Sequence, residues 1–84
     1  RGIDWSAAKT VVELGAGTGP ITAELVRRAG PHTRLVVIER DADFCRRLRA
    51  KFPAVDIVEG DAADLGRVLA ERDVRQVDHV LSGL

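Results

Sequence analysis

The sequence predicts an α/β fold in which a doubly wound parallel sheet carries helices on both faces. Four short apolar or β-branched segments recur along the 84 residues, at positions 10–14, 34–39, 55–59 and 77–81. Amphipathic segments with helical spacing separate them, so the order of elements is βαβαβαβ. Because strands joined by helices of this length run parallel through right-handed crossovers, a single sheet accounts for residues 10–84.

The first strand, TVVEL, leads into a glycine-rich loop, and an apolar stripe indicates a helix after that loop. Ile21, Leu25 and Ala29 recur every four residues and are expected to face the sheet. Gly30 and Pro31 then end the helix before the second strand, RLVVIE.

The second helix is predicted to begin after Asp41, a good N-cap residue. Its apolar stripe is Phe44, Leu48 and Phe52, and Pro53 ends it before the third strand, VDIVE.

The third helix is predicted to begin after Asp64 and to bury Leu65, Val68 and Leu69, ahead of the fourth strand, VDHVL. Residues 1–9 are a lead-in segment to which the sequence assigns no role.

Composition limits the classes of function. Lys and Arg together number 13, as do Asp and Glu, so no global charge points to nucleic acid or to an anionic membrane. No apolar run reaches membrane-spanning length, and the single cysteine, Cys45, fits a reducing compartment, so we expect a cytoplasmic protein. His32 and His79 have no second ligand at metal-binding spacing, and we expect no metal site.

The loop after the first strand is the main functional signal. In VVELGAGTGP, residues 11–20, glycines occupy positions 15, 17 and 19, whereas a tight strand-to-helix turn needs one or two. In a doubly wound sheet, ligands bind at the carboxyl ends of the strands, where this loop lies. The three glycines therefore indicate close contact between the backbone and a ligand.

The spacing and charge of the loop argue against a dinucleotide. The dinucleotide fingerprint is G-x-G-x-x-G, and Pro20 stands where its third glycine belongs. Glu13, two residues before the first glycine, would repel a pyrophosphate. The same carboxylate would favour a ligand with an ammonium or sulfonium charge.

The next two strand ends carry acceptors suited to an adenosine. Glu39 can accept hydrogen bonds from both hydroxyls of a ribose, and we expect it to contribute little to stability without a ligand. Asp61 can accept from an exocyclic amine, while the Ala62 N–H can meet a ring nitrogen of adenine. Either Asp61 or Asp64 could instead cap the next helix; Asp64 is better placed for this, which leaves Asp61 free.

The order of these motifs along the chain resembles that of a known enzyme class. VVELGAGTGP, the IE at residues 38–39, GDAADL and VDHVLSGL resemble the successive motifs of class I S-adenosylmethionine-dependent methyltransferases, from about Lys9 to Leu84. The resemblance implies a Rossmann-like fold of seven strands. The chain is then the N-terminal, cofactor-binding half of a longer protein, and we expect it to be inactive alone.

The resemblance also implies which residues contact S-adenosylmethionine. The first strand and its loop would serve the methionine end, the second strand the ribose and the third the adenine. The predicted cofactor-binding residues are Glu13, Gly15, Ala16, Gly17, Thr18, Gly19, Glu39, Arg40, Asp61 and Ala62.

Within this class, the motifs are most similar to bacterial phospholipid N-methyltransferases and next to ribosomal RNA adenine dimethyltransferases. The RNA enzymes carry an Asn-Leu-Pro-Tyr-like motif after the fourth strand, where this chain has Ser82-Gly83-Leu84. We therefore expect a phospholipid amine, such as that of phosphatidylethanolamine, as methyl acceptor, with the backbone carbonyl of Ser82 as its hydrogen-bond acceptor. RNA methylation and a cofactor-binding module without catalysis remain the alternatives. The basic side chains of residues 46–51 are expected to form a solvated helix face; the alternative is a patch for nucleic acid or anionic lipid, through which a lipid enzyme could contact the membrane surface.

Overall fold

The computed structural model describes residues 2–83; Arg1 and Leu84 lie outside the described residues. Its strands are β1 (Thr10–Leu14), β2 (Arg34–Glu39), β3 (Asp56–Glu59) and β4 (His79–Ser82). They form one sheet in the order β3-β2-β1-β4, and every neighbouring pair is parallel. The predicted fold class, a parallel α/β sheet of Rossmann-like order, is confirmed.

The helices are α1 (Pro20–Arg28), α2 (Ala42–Lys51) and α3 (Leu65–Glu71), and a short 3-10 helix, Ala62–Asp64, precedes α3. Successive side chains of β1 and β2 alternate between the two faces of the sheet. Val11 packs with Leu25 of α1, whereas Val12 packs with Val68 of α3. Since α2 packs through Leu48 against Val37, α1 and α2 cover one face and α3 covers the other.

The first two strands have the predicted bounds, but β4 begins two residues later than expected. Asp78, just before β4, makes hydrogen bonds to the start of β1 with both its side chain and its backbone. Its Oδ2 accepts hydrogen bonds of 2.8 Å from the N–H groups of Lys9 and Thr10, and its own N–H donates to the Thr10 carbonyl. The carboxylate therefore replaces ladder bonds where β4 meets the start of β1.

The predicted stripes of α1 and α2 were each wrong at their first residue. Ile21 is 39% exposed and Phe44 is half-buried, whereas the adjacent Thr22 and Cys45 are fully buried. The reason is helical geometry. Ala29 follows Thr22, and Phe52 follows Cys45, by seven positions, so each pair lies within about 20° of the same direction around the helix axis. The predicted pairs, Ile21 with Ala29 and Phe44 with Phe52, are eight positions apart and differ in direction by roughly 80°.

The parallel sheet brings the carboxyl ends of all four strands to one edge. In the register, Leu14 at the end of β1 lies between Ile38 of β2 and Ser82 of β4, and Glu39 lies opposite Glu59 of β3. The loops that leave these strands therefore converge at that edge.

Candidate functional site

A cavity of about 460 Å³ opens where β1, β2 and β3 end. Its volume is within the range of small-molecule sites. Of the residues predicted to bind a cofactor, six line it: Gly15, Gly17, Glu39, Arg40, Asp61 and Ala62. The structure thus brings together, at one site, residues from three separate strand ends.

The glycine loop adopts a backbone that other residues rarely adopt. Gly15, Gly17 and Gly19 have φ values of +73°, +58° and +97°, all in the left-handed region. The Gly15 N–H donates to the Ile38 carbonyl at 2.8 Å, which holds the loop against the end of β2. Gly15 and Gly17 therefore present bare backbone to the cavity.

Glu39 connects the loop to the second strand end. Its Oε1 accepts a hydrogen bond of 2.7 Å from the Gly17 N–H, and its Oε2 accepts one of 2.9 Å from the Asp41 N–H. The side chain is only 7% exposed. The expectation that Glu39 contributes little to stability does not match these contacts, because both oxygens satisfy part-buried backbone donors. A carboxylate has about four acceptor sites, so capacity for a ligand remains.

Glu13 lies deeper than the sequence suggested. It is 1% exposed and is not among the residues that line the cavity. Its Oε1 accepts a hydrogen bond of 2.5 Å from Thr22 Oγ1. Burial raises the pKa of the Glu13 carboxyl, the Thr22 bond opposes that rise, and the neighbouring charge of Glu39 adds to it.

Asp61 was expected to be free of capping, and this was wrong. Its Oδ1 accepts a hydrogen bond of 2.8 Å from the Ala63 N–H, while Asp64 Oδ2 accepts one of 2.9 Å from the Asp61 N–H. The two aspartates form a reciprocal capping box on the 3-10 helix. Asp64 accepts no side-chain cap bond at the start of α3. Asp61 nevertheless lines the cavity, and one of its oxygens is not used by the box.

The remaining predicted loop residues are not among those that line the cavity. Ala16 is buried in the cluster that contacts α2, and Thr18 is exposed. A Cβ added at Gly19 would lie 2.9 Å from Leu48 Cδ2 and 3.0 Å from Phe52 Cε2. Gly19 is thus required by helix packing, whatever it does for a ligand.

The end of β4 adjoins the site from the other side of β1. Ser82 pairs with Leu14, and the Gly83 N–H donates to the Leu14 carbonyl at 2.8 Å. A Cβ at Gly83 would lie 2.5 Å from the Gly15 carbonyl oxygen, so only glycine permits this approach. Ser82 is exposed beside the glycine loop and is not part of the cavity wall. Leu84 of the same motif is outside the described residues.

Sequence reasoning missed four residues of the wall: Leu14, Ile38, Gly60 and Ala63. Each adjoins a predicted site residue in the chain. Leu14 and Ile38 supply apolar surface, which is usual in small-molecule sites beside a few polar groups. Gly60 is held close to Asp64, since a Cβ there would lie 2.7 Å from Asp64 Oδ2.

Between positions 2 and 83, no group of three or more His, Cys, Asp or Glu side chains is placed to hold a metal ion. Over the same part of the chain, no helix has the length and apolar character needed to cross a bilayer.

The observed cavity suits an adenosine-containing ligand with a positive charge. Glu39 and Asp61 line it with acceptors, and Gly17 and Ala62 are also part of its wall. The buried Glu13 carboxyl is close enough to Glu39 to be affected by its charge. The Oε2 atom of Glu13 is buried and accepts no hydrogen bond from residues 2–83. These features fit S-adenosylmethionine better than a dinucleotide.

Comparison with known families agrees with the site. The family model for ribosomal RNA adenine dimethylase matches residues 3–73. The chain belongs to this family, which is one of S-adenosylmethionine-dependent methyltransferases. Membership implies S-adenosylmethionine as the cofactor.

Individual relatives fall into two groups by the substrate in their names. The chain is 51% identical to an ornithine lipid N-methyltransferase of Singulisphaera acidiphila over its whole length, which is 45% of that protein. It is 43% identical to the ribosomal RNA small subunit methyltransferase A of Anaeromyxobacter dehalogenans over 70% of the chain and 20% of that protein. The corresponding protein of a Polaromonas species is also 43% identical, over 79% of the chain and 19% of its own length. The chain therefore spans less than half the length of each of these relatives.

Proposed function

We propose that this chain holds the cofactor site of a methyltransferase that transfers a methyl group from S-adenosylmethionine to the amine of a membrane lipid. One observation carries the choice of a lipid. The similarity to the ornithine lipid enzyme extends over the whole chain, whereas the RNA family model stops at residue 73, before β4. The alignment with the lipid relative thus includes β4, whose end lies beside the glycine loop.

The residues of the cavity have separate tasks in this proposal. Glu39 would accept from the ribose hydroxyls, because it lines the cavity and is held rigidly by the Gly17 and Asp41 N–H groups. Asp61 would accept from the adenine amine through the oxygen that the capping box does not use. Arg40 is exposed at the rim, where it can contact the ligand without being buried.

The acceptor would approach from the side of β4. When bound, the sulfonium group of the cofactor supplies an electrophilic methyl group. The amine must be unprotonated to react, and a backbone carbonyl is an acceptor that can hold its N–H. The carbonyl of Ser82 is our candidate, since the Gly83 N–H bond to Leu14 fixes this strand end beside the glycine loop. Positioning of this kind can lower a barrier by about 7–11 kcal/mol.

A lipid substrate requires contact with a membrane surface, and we propose a cytoplasmic protein that contacts it peripherally. Arg46, Arg47, Arg49 and Lys51 are all exposed on α2. Asp43 pairs with Arg46 and Arg47, and Arg49 donates to the Ile57 carbonyl, so part of this charge is already compensated. Any attraction to anionic lipid from this helix is therefore modest.

The experiment supplies radiolabelled S-adenosylmethionine to the full-length protein with three acceptors in separate reactions. These are vesicles that contain an ornithine lipid, vesicles that contain phosphatidylethanolamine, and unmethylated small-subunit ribosomal RNA. We expect label in one or both lipids and none in the RNA. A Glu39→Ala variant is the control, and it should lose the label because the reaction depends on this cavity.

Ribosomal RNA is the second candidate, favoured by the family model and by the two relatives named for that substrate. Label in the RNA and not in either lipid would overturn the lipid proposal and establish this alternative. Label in none of the three, with cofactor binding intact, would leave a cofactor-binding module and would also contradict the proposed acceptor.

A further inference from the structure

The strand-to-helix connection contains a buried polar pair that the sequence motifs did not single out. Thr22, in the first turn of α1, is 0% exposed, and Glu13 of β1 is 1% exposed. Thr22 Oγ1 donates to Glu13 Oε1 at 2.5 Å. An apolar residue at position 22 would extend the core, so a buried hydroxyl here requires an explanation.

The pair is costly to bury as it stands. One oxygen of Glu13 is satisfied by Thr22, but Oε2 is buried and accepts nothing from residues 2–83. The charge that faces Glu13 across the sheet is the carboxylate of Glu39, at the end of β2, and two like charges repel. A buried acceptor without a partner is destabilising. A buried polar group without a partner in a folded protein calls for a functional explanation, such as an interaction that a ligand supplies.

The location of the pair indicates which part of the ligand is involved. Glu13 precedes Leu14 and Gly15, both of which line the cavity, and α1 begins directly after the glycine loop. The Glu13 carboxyl lies between the end of β1 and the first turn of α1, close enough to the cavity-lining Glu39 to be affected by its charge. Glu39 and Asp61, at the next two strand ends, are the candidates for the ribose and adenine. The β1 end is thus left for the amino-acid part of the cofactor.

We propose that Thr22 is a positioning residue of the cofactor site: its hydroxyl fixes Glu13 between the end of β1 and the first turn of α1, so that the carboxylate faces the positively charged amino-acid end of the cofactor. The inference rests on the proposed function and concerns the same cavity. Thr22 does not contact the cofactor; it acts through Glu13. Its removal should weaken recognition of the ammonium group and spare recognition of the adenosine.

The test compares two ligands by calorimetry on the full-length protein. S-adenosylhomocysteine contains the amino-acid part, whereas 5′-methylthioadenosine keeps the adenosine and the sulfur but lacks it. Thr22→Val keeps the shape of the side chain and removes the hydroxyl. It should weaken the binding of S-adenosylhomocysteine by about tenfold and change the binding of methylthioadenosine by less than about twofold. Thr22→Ser is the matched control and should retain the affinity of the wild type for both.

Glu13→Gln gives a second route to the same result if Thr22→Val does not fold. It should show the same selective loss of S-adenosylhomocysteine affinity. The double variant should lose little more affinity than either single variant, because both changes remove the same interaction of Thr22 with Glu13. Thermal unfolding of each variant establishes that the folded protein is being titrated.

The outcomes separate the inference from the proposed function. Equal losses for both ligands in Thr22→Val would show a purely structural role, and unchanged affinities would show no role; either would overturn the inference while the cofactor site stands. A wild-type protein that binds neither ligand would overturn the proposed function itself. Selective loss with rescue by serine would support the inference.

Discussion

The Oε1 atom of Glu39 accepts a hydrogen bond of 2.7 Å from the Gly17 N–H, which joins the end of β2 to the middle of the glycine loop. Two motifs 22 residues apart in the chain are thereby a single unit. The carboxylate that we propose as the ribose acceptor also fixes the backbone of the cavity wall. We therefore expect binding and stability to be coupled at this residue.

We predict that Glu39→Ala lowers both the stability of the protein and its affinity for the cofactor. The N–H groups of Gly17 and Asp41 lose their acceptor, which should lower the free energy of unfolding by about 1–3 kcal/mol. Cofactor affinity should fall by about 1.5–3 kcal/mol through loss of charge-assisted bonds. Chemical denaturation and calorimetry measure the two effects. Glu59→Ala, at the exposed end of β3, is the matched control and should change neither. Unchanged stability in Glu39→Ala would show that the loop does not depend on this carboxylate.

The glycines of the loop should separate into two kinds. Gly19→Ala combines a left-handed backbone with a Cβ 2.9 Å from Leu48 Cδ2, and overpacking of this kind costs about 1–3 kcal/mol. At Gly17, which lines the cavity, a Cβ meets no atom within 4 Å. We expect Gly19→Ala to lower stability more, and Gly17→Ala to lower affinity more.

Denaturant titrations and cofactor titrations of both variants test this order. Gly66→Ala is a control within α3, where a Cβ also has open space. Alanine is favoured over glycine in a helix by about 1 kcal/mol, so that variant should be slightly stabilised. The reverse ranking of Gly17 and Gly19 would contradict the geometry of the loop.

Glu13 should give the protein a measurable pH dependence. Burial, the largest cause, raises its pKa in the folded protein above the ordinary value of 4.5. Between 4.5 and the raised pKa, the folded state therefore holds more protons than the unfolded state, and stability falls as pH increases through this window. Glu13→Gln should remove that contribution to the slope. Denaturation of both proteins across this pH range, without cofactor, is the measurement, and identical slopes would show that Glu13 is not buried as observed.

Asp61→Asn distinguishes the two roles of Asp61. Asparagine keeps an oxygen for the Ala63 N–H, so the capping box and the stability should survive. Its amide nitrogen replaces the other oxygen with a donor, which cannot accept from an adenine amine. We expect weaker cofactor binding at nearly constant stability. Asp64→Asn is the control on the other half of the box. If Asp61→Asn binds the cofactor as the wild type does, Asp61 is only a cap.

The sequence predicted the sheet, its parallel direction and most of the cavity, because strand patterns and glycine spacing are local signals. The left-handed φ values of Gly15, Gly17 and Gly19 are ones that glycine, unlike other residues, adopts readily. It did not predict that Glu13 would be buried with Thr22, since that contact depends on how α1 is rotated against the sheet. Nor did it predict that Asp61 would cap, because a 3-10 helix of three residues has no periodic pattern.

The central claim is that the cavity at the ends of β1, β2 and β3 binds S-adenosylmethionine. The most direct measurement is a calorimetric titration of the full-length protein with S-adenosylhomocysteine and, separately, with NAD. We predict saturable binding of S-adenosylhomocysteine at one site, lost or strongly weakened in Glu39→Ala, and much weaker binding of NAD. Tighter binding of NAD, or no binding of S-adenosylhomocysteine by the folded wild-type protein, would contradict the claim.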